Sequence, residues 1–154
     1  MDASGFDFLF QSLSAEKRRR LVIANGVDKH SLEAAYKARS MNLVEVLLTG
    51  SRDTIAGVCR QWGFGDDWYS VWDCGDEQEA IDRAVRMCRD KEADLIMKGM
   101  VSTDRFMRAI LSKEQGLLPP GALLSHVTVL RNQQYGKPLI VSDVAIIPLP
   151  TLEQ

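Results

Sequence analysis

Short apolar runs punctuate the chain at residues 21–24, 43–48, 69–72 and 94–97, each bounded by turn-forming or charged positions. Runs of this length suit strands rather than buried helices. Between them the apolar residues recur with helical spacing. Over residues 77–90, Ala80, Ile81, Ala84, Val85, Met87 and Cys88 make one stripe, with charges elsewhere. Over 28–39 the stripe is Leu32, Ala35 and Tyr36, and Asp28 stands where a first turn needs a cap. Ser51 is placed to cap a further helix carrying Ile55, Val58 and Cys59. Strand starts fall about 22 to 26 residues apart, the length of a βα unit. A parallel sheet with helices on both faces follows.

After Ser112 the pattern changes. Residues 116–121, with Pro119 and Pro120, read as a loop, and strands are predicted over 123–130 and 139–147. The polar link 131–137 is too short for a parallel crossover, so this pair is predicted antiparallel and the whole sheet mixed. Pro148 and Pro150 end the second strand, and Thr151 with Gln154 has the form of a capping box. A helix that stops within its first turn has no stability of its own. Residues 1–154 are therefore expected to be a single α/β domain, cut from a longer protein.

Composition narrows the class. The 154 residues are 45% hydrophobic and 26% charged with a net charge of -2, which is globular and offers no field for nucleic acid or anionic membrane. The basic run Lys17-Arg18-Arg19-Arg20 reads as a solvated flank of the first strand. No apolar run approaches the ~20 residues of a membrane helix, and the first twenty residues lack a secretory pattern. Cys59, Cys74 and Cys88 are odd in number and contain no CxxC pair. Reduced, mostly buried thiols and a cytoplasmic setting are expected.

Candidate chemistry gathers where a predicted strand ends at Lys98. Gly99 permits close backbone approach, and Ser102 or Thr103 opens the next helix. Ligands in open α/β sheets bind beyond the carboxyl ends of strands, and a helix start offers N–H groups to an anion. Ser102 is then either a plain cap or a ligand. The segment is neither a Walker loop nor a dinucleotide fingerprint. Ser125 and His126 fall in the strand-like run 124–129, where alternation points them to opposite faces. His126 is either a satisfied polar group or a general base near neutral pH. Asp143, inside an apolar run, either holds backbone amides or faces a site. Trp62, Trp68 and Trp72, with Phe64 and Tyr69, read as a satellite core cluster rather than a stacking platform for single-stranded nucleic acid.

Three blocks in order resemble one family. They are Ala93-Asp94-Leu95-Ile96-Met97-Lys98-Gly99-Met100-Val101-Ser102-Thr103; Gly121 with Leu124-Ser125-His126-Val127; and Val141-Ser142-Asp143 with Pro150-Thr151-Leu152-Glu153-Gln154. They resemble the phosphate acetyl/butyryltransferase family, and more closely its butyryltransferase branch with "KGLVNT", "LSHVAVF" and "TDxAxN…PxLEQK". Residues 1–92 match only loosely.

The resemblance implies an isocitrate/isopropylmalate dehydrogenase-like lobe, one of two that flank an active-site cleft. It implies exchange of coenzyme A for inorganic phosphate on an acyl group, giving an acyl phosphate. Coenzyme A is a substrate there, with no bound cofactor or metal. Lys98, Gly99, Ser102 and Thr103 would line the phosphate or acyl phosphate subsite, and Ser125, His126 and Asp143 would serve as catalytic residues near the cleft.

Family members run to about twice this length, so the chain by itself is expected to be inactive. It is also expected to form a homo-oligomer through surface left without its lobe. Ile147 stands where the family has Asn, and Val144 where it has a small residue. These departures keep a non-catalytic anion- or ligand-binding domain of the same fold as the alternative. A decarboxylating dehydrogenase is disfavoured because no aspartate cluster for a metal is evident.

Overall fold

A computed structural model of the chain describes residues 18–132, 134–143, 145–147 and 149–151. Strand β1 (Arg19–Ala24) is interior to the main sheet, hydrogen-bonded on one side to β2 (Val44–Gly50) and on the other to β4 (Leu95–Lys98). β3 (Tyr69–Asp73) flanks β2, so the order is β3-β2-β1-β4 and every pairing is parallel. Four helices connect and cover the strands: α1 (Lys29–Ser40), α2 (Arg52–Trp62), α3 (Glu77–Arg89) and α4 (Thr103–Leu111).

Alternation along β1 divides the core. Val22 and Ala24 pack with Ile81, Ala84, Val85 and Met87 of α3 and with Phe106 of α4. Ile23 points the other way, among Leu32 and Ala35 of α1 and Ile55 and Cys59 of α2. Val22, Ile23 and Ala24 are all fully buried, as a strand covered on both faces must be. The predicted helices are present, and Asp28 and Ser51 cap theirs by accepting from the Ser31 and Thr54 N–H groups. Among the described residues no helix is long and apolar enough to cross a membrane.

Of the basic run, Lys17 lies outside the described residues, and Arg18 and Arg20 are held by side-chain partners. Arg18 donates to the Asn42 side chain, and Arg20 grips Asp94 with two nitrogens, Nε at 3.1 Å and a terminal nitrogen at 3.0 Å.

The expected mixed sheet is not formed. The antiparallel pair, β5 (Thr128–Asn132) and β6 (Tyr135–Val141), is a separate two-stranded sheet. Its strands also sit elsewhere than the apolar runs suggest. Asn132 Oδ1 accepts the Gln134 N–H at 2.8 Å, an Asx turn that lets the chain reverse inside the predicted polar link. Arg131 and Lys137 are accommodated because the hairpin is exposed along nearly all of both strands. At the far end β6 stops at Val141. There Asp143 Oδ1 accepts the Ala145 and Ile146 N–H groups at 3.0 and 2.8 Å and bends the chain out of the ladder. Of the capping pair expected at the C-terminus, Gln154 lies outside the described residues, as does Val144.

The Arg20–Asp94 pair yields a pH test. Its hydrogen bonds from the Arg20 side chain, then from the Arg20 backbone, hold the Asp94 carboxyl at about 2, below its ordinary 3.8. A carboxyl with a depressed folded pKa stabilises above its unfolded pKa and loses that contribution as pH falls through the folded value. Asp94→Asn is expected to lower stability at pH 7 by about 1 kcal/mol, given that the pair is partly open to solvent. The difference from wild type should shrink between pH 4 and pH 2, measured by denaturant unfolding at stepped pH.

Candidate functional site

The strand order reverses direction at β1. β2 and β3 lie to one side, whereas the chain returns to place β4 on the other. At such a switch point the loops leaving adjacent strands diverge and open a crevice beyond their carboxyl ends. Here those loops are residues 25–28 after β1 and 99–102 after β4.

The two loops are laced together by backbone. Gly99 N–H donates to Ala24 O, and Met100 N–H to Asn25 O, each at 3.0 Å. The Asn25 side chain returns a bond from Nδ2 to Met100 O at 2.7 Å. Asn25 adopts a left-handed conformation at φ 54°, which Asn tolerates better than most residues. Gly99 is required by this contact: a Cβ there would lie 2.5 Å from Asn25 O and 2.7 Å from Ala24 O. Its missing side chain thus serves approach of the chain to itself. Behind the loops Thr49 is fully buried, its Oγ1 donating to Ala80 O at 2.8 Å and accepting the Asn25 N–H at 3.2 Å.

Lys98 Nζ folds back to Val101 O at 2.8 Å and, at 3.4 Å, to Gly99 O. Ser102 is the N-cap of α4, but its hydroxyl makes no capping bond. Its N–H is taken instead by a carboxylate the sequence did not single out: Glu77 Oε1, at 2.7 Å. Glu77 Oε2 also lies 3.7 Å from an Arg105 guanidinium nitrogen. Thr103 begins the helix, beside Asp104, whose carboxylate pairs with Arg108 at 2.9 Å.

Ser125, His126 and Asp143 form a second group, outside any strand. The Ser125 and Ser142 hydroxyls are 3.2 Å apart. The His126 N–H donates to Asp143 Oδ2 at 2.8 Å, and the His126 ring lies 3.3 Å from the Thr128 hydroxyl. Partial burial raises the Asp143 pKa, but N–H donors from Ile146, Ala145, His126 and Ile147 outweigh that and hold it well below the usual carboxylate range. Both of its oxygens are therefore engaged by backbone, and it stays ionised. Among the described residues no hydrogen bond or ion pair links this group to the one around Lys98.

Asn25, Thr49 and Glu77 escaped the sequence reading. Glu77 was legible only as an acidic residue in a helix's first turn; its partner is 25 positions away. The tryptophans divide rather than cluster. Trp68 packs edge-on against Tyr36 and Tyr69, with Tyr36 stacked on Phe64, whereas Lys29 covers Trp62 and Arg83 lies over Trp72. Among the described residues no group of three or more His, Cys, Asp or Glu side chains is arranged to hold a metal.

Asp143→Ala should uncouple residues 125–126 from 143–146, because a methyl group accepts neither the His126 N–H nor those of Ala145 and Ile146. Faster amide exchange at His126, Ala145 and Ile146, with core strands β1 and β2 unchanged, is the expected result. Unchanged exchange at those three amides would show that the carboxylate does not hold this turn.

No protein-family model matches the chain. Individual proteins do. It is 30% identical over 148 residues to a phosphate butyryltransferase of Clostridium beijerinckii, covering 96% of this chain and 49% of that protein. A phosphate acetyltransferase of Rickettsia typhi is 31% identical over 134 residues, covering 87% and 38%. In fold, a branched-chain phosphotransacylase from Enterococcus faecalis superposes with TM-score 0.70 at 19% identity, covering 86% of this chain and 45% of that one. A phosphotransacetylase from Streptococcus pyogenes gives 0.69 at 17% identity, covering 91% and 50%. The chain spans about half the length of the curated relatives it matches. Over nearly all of its own residues the chain is similar to members of the phosphate acetyl/butyryltransferase family.

Proposed function

We propose that the chain is one lobe, of the isocitrate/isopropylmalate dehydrogenase-like kind, of a phosphate acyltransferase that exchanges coenzyme A and inorganic phosphate on a butyryl-type acyl group. The observation that carries this is the alignment at 30% identity through 148 residues with a phosphate butyryltransferase. A phosphate oxygen attacks the thioester carbonyl carbon, the C–S bond breaks with its electron pair going to sulfur, and an acyl phosphate remains. A thiolate leaves without much proton help, so the protein's task is to position an anion and stabilise an oxyanion.

Lys98, Gly99, Ser102 and Thr103 line the phosphate subsite in this reading. The Lys98 ammonium, 2.8 Å from a carbonyl it can exchange for phosphate, and the uncommitted Ser102 hydroxyl support it. Ser125, with its hydroxyl beside that of Ser142, is a neutral donor for the developing oxyanion, and His126 is the general base. Asp143 is a positioning residue, since its oxygens hold the backbone of 126 and 145–146. The three free thiols, Cys59, Cys74 and Cys88, support a cytoplasmic setting.

Catalysis in this reading needs the half of the relatives that the chain does not span. The 154-residue chain should bind phosphate with a millimolar dissociation constant, about -4 kcal/mol, yet release no thiol from butyryl-CoA and phosphate. Rapid thiol release would sink the one-lobe reading. Failure to bind either phosphate or acyl-CoA would sink the functional one.

The hairpin bears on association. Val129 pairs with Ile140 on one face and Leu130 with Leu139 on the other, and all four are exposed. A lone two-stranded sheet is marginal in water, and its apolar faces favour self-association into a homo-oligomer. Sedimentation is expected to show a dimer or larger species; a monomer persisting at high concentration would count against it.

A further inference from the structure

We propose that Glu77 is an internal competitor of the phosphate, a carboxylate that occupies the subsite until substrate displaces it. The inference rests on the reading of Lys98–Thr103 as a phosphate subsite, and adds to it a residue that regulates occupancy. In the folded chain the Ser102 N–H is already bonded, to Glu77 Oε1 at 2.7 Å. That N–H is the first one a phosphate seated between Ser102 and Lys98 would need. The same carboxylate sits 3.7 Å from Arg105, so one anion draws on both a helix start and a guanidinium.

Two features make Glu77 suited to leaving. It stands in the first turn of α3, whose N-cap role belongs to Asp76 through the Glu79 N–H, so α3 does not depend on it for capping. Arg105 gives the carboxylate a second partner on the solvent side, exposed like Ser102 itself. The Ser102 hydroxyl, which makes no capping bond, does not compensate when the carboxylate is present. Phosphate and carboxylate cannot share one N–H, and their like charges repel at that distance. Exchange follows: phosphate takes the Ser102 N–H, and Glu77 turns to Arg105. Phosphate affinity in wild type is then lowered by the occupancy of Glu77, not raised by its proximity.

The sign of the effect separates this role from a structural one. A residue that merely braced the loop would weaken phosphate binding when removed. A competitor strengthens it, by roughly two- to fivefold for a single charge at a helix N-terminus. Inorganic phosphate is titrated into the 154-residue chain as wild type, Glu77→Gln and Glu77→Ala. Binding is read from the Ser102 and Thr103 amide resonances, and circular dichroism verifies folding. Glu77→Ala should bind phosphate two- to fivefold more tightly, with Glu77→Gln between it and wild type. Equal or weaker binding in both variants, with phosphate still moving the Ser102 amide, overturns the competitor and leaves the subsite standing. If phosphate moves that amide in none of the three proteins, subsite and competitor fall together. Glu77→Gln keeps size and helix propensity, so it decides the matter should Glu77→Ala not fold.

Discussion

The lacing of the β1 and β4 loops is the constraint on which the rest depends. Among the described residues β4 is an edge strand four residues long, paired only with β1. What fixes the segment after it is the exchange of hydrogen bonds among Ala24, Asn25, Gly99 and Met100. That exchange requires a left-handed Asn25 and a residue without Cβ at 99. With those met, Ser102 arrives beside the first turn of α3, and α4 can lay Phe106 into the cluster formed by α3 and β1. Thr49 secures the arrangement from beneath by joining β2, α3 and Asn25 through one hydroxyl.

Negative charge is placed repeatedly where helices begin. Asp28, Asp76 and Glu77 all accept N–H groups at helix starts, the first two at their own helices and Glu77 at the next one. Each satisfies donors that the helix itself cannot. The Glu77 bond differs in spanning two elements, so it couples the α3 start to the loop that carries Lys98. In the proposed reading the phosphate loop already holds a carboxylate of its own, and its affinity for phosphate is a difference between two anions.

The hairpin stands apart from the main sheet. Its apolar positions alternate onto both faces, the pattern of a strand enclosed in a larger body, yet β5 and β6 are open to solvent. Ser125 and His126 lead directly into β5, and Asp143 follows β6, so the second candidate group sits at the open end of that hairpin.

The local pattern of the sequence determined the four βα units, their parallel order of succession, the helix caps at Asp28 and Ser51, and the family resemblance. Each depends on residues close in the chain: a strand's run, a helix's stripe, a cap three positions from its donor. Strand limits after residue 122 were not determined that way, because apolar content cannot mark strand ends in a hairpin with no covered face. There, Asn132 and Asp143 ended the ladder with their own side chains. Tertiary structure alone decided that Gly99 opposes Asn25, that Glu77 meets Ser102, and that the antiparallel pair stands apart from the main sheet. The Glu77–Ser102 contact joins residues 25 positions apart, and Asn25 lies farther still from Gly99; no pattern within one element encodes which distant backbone a residue will face.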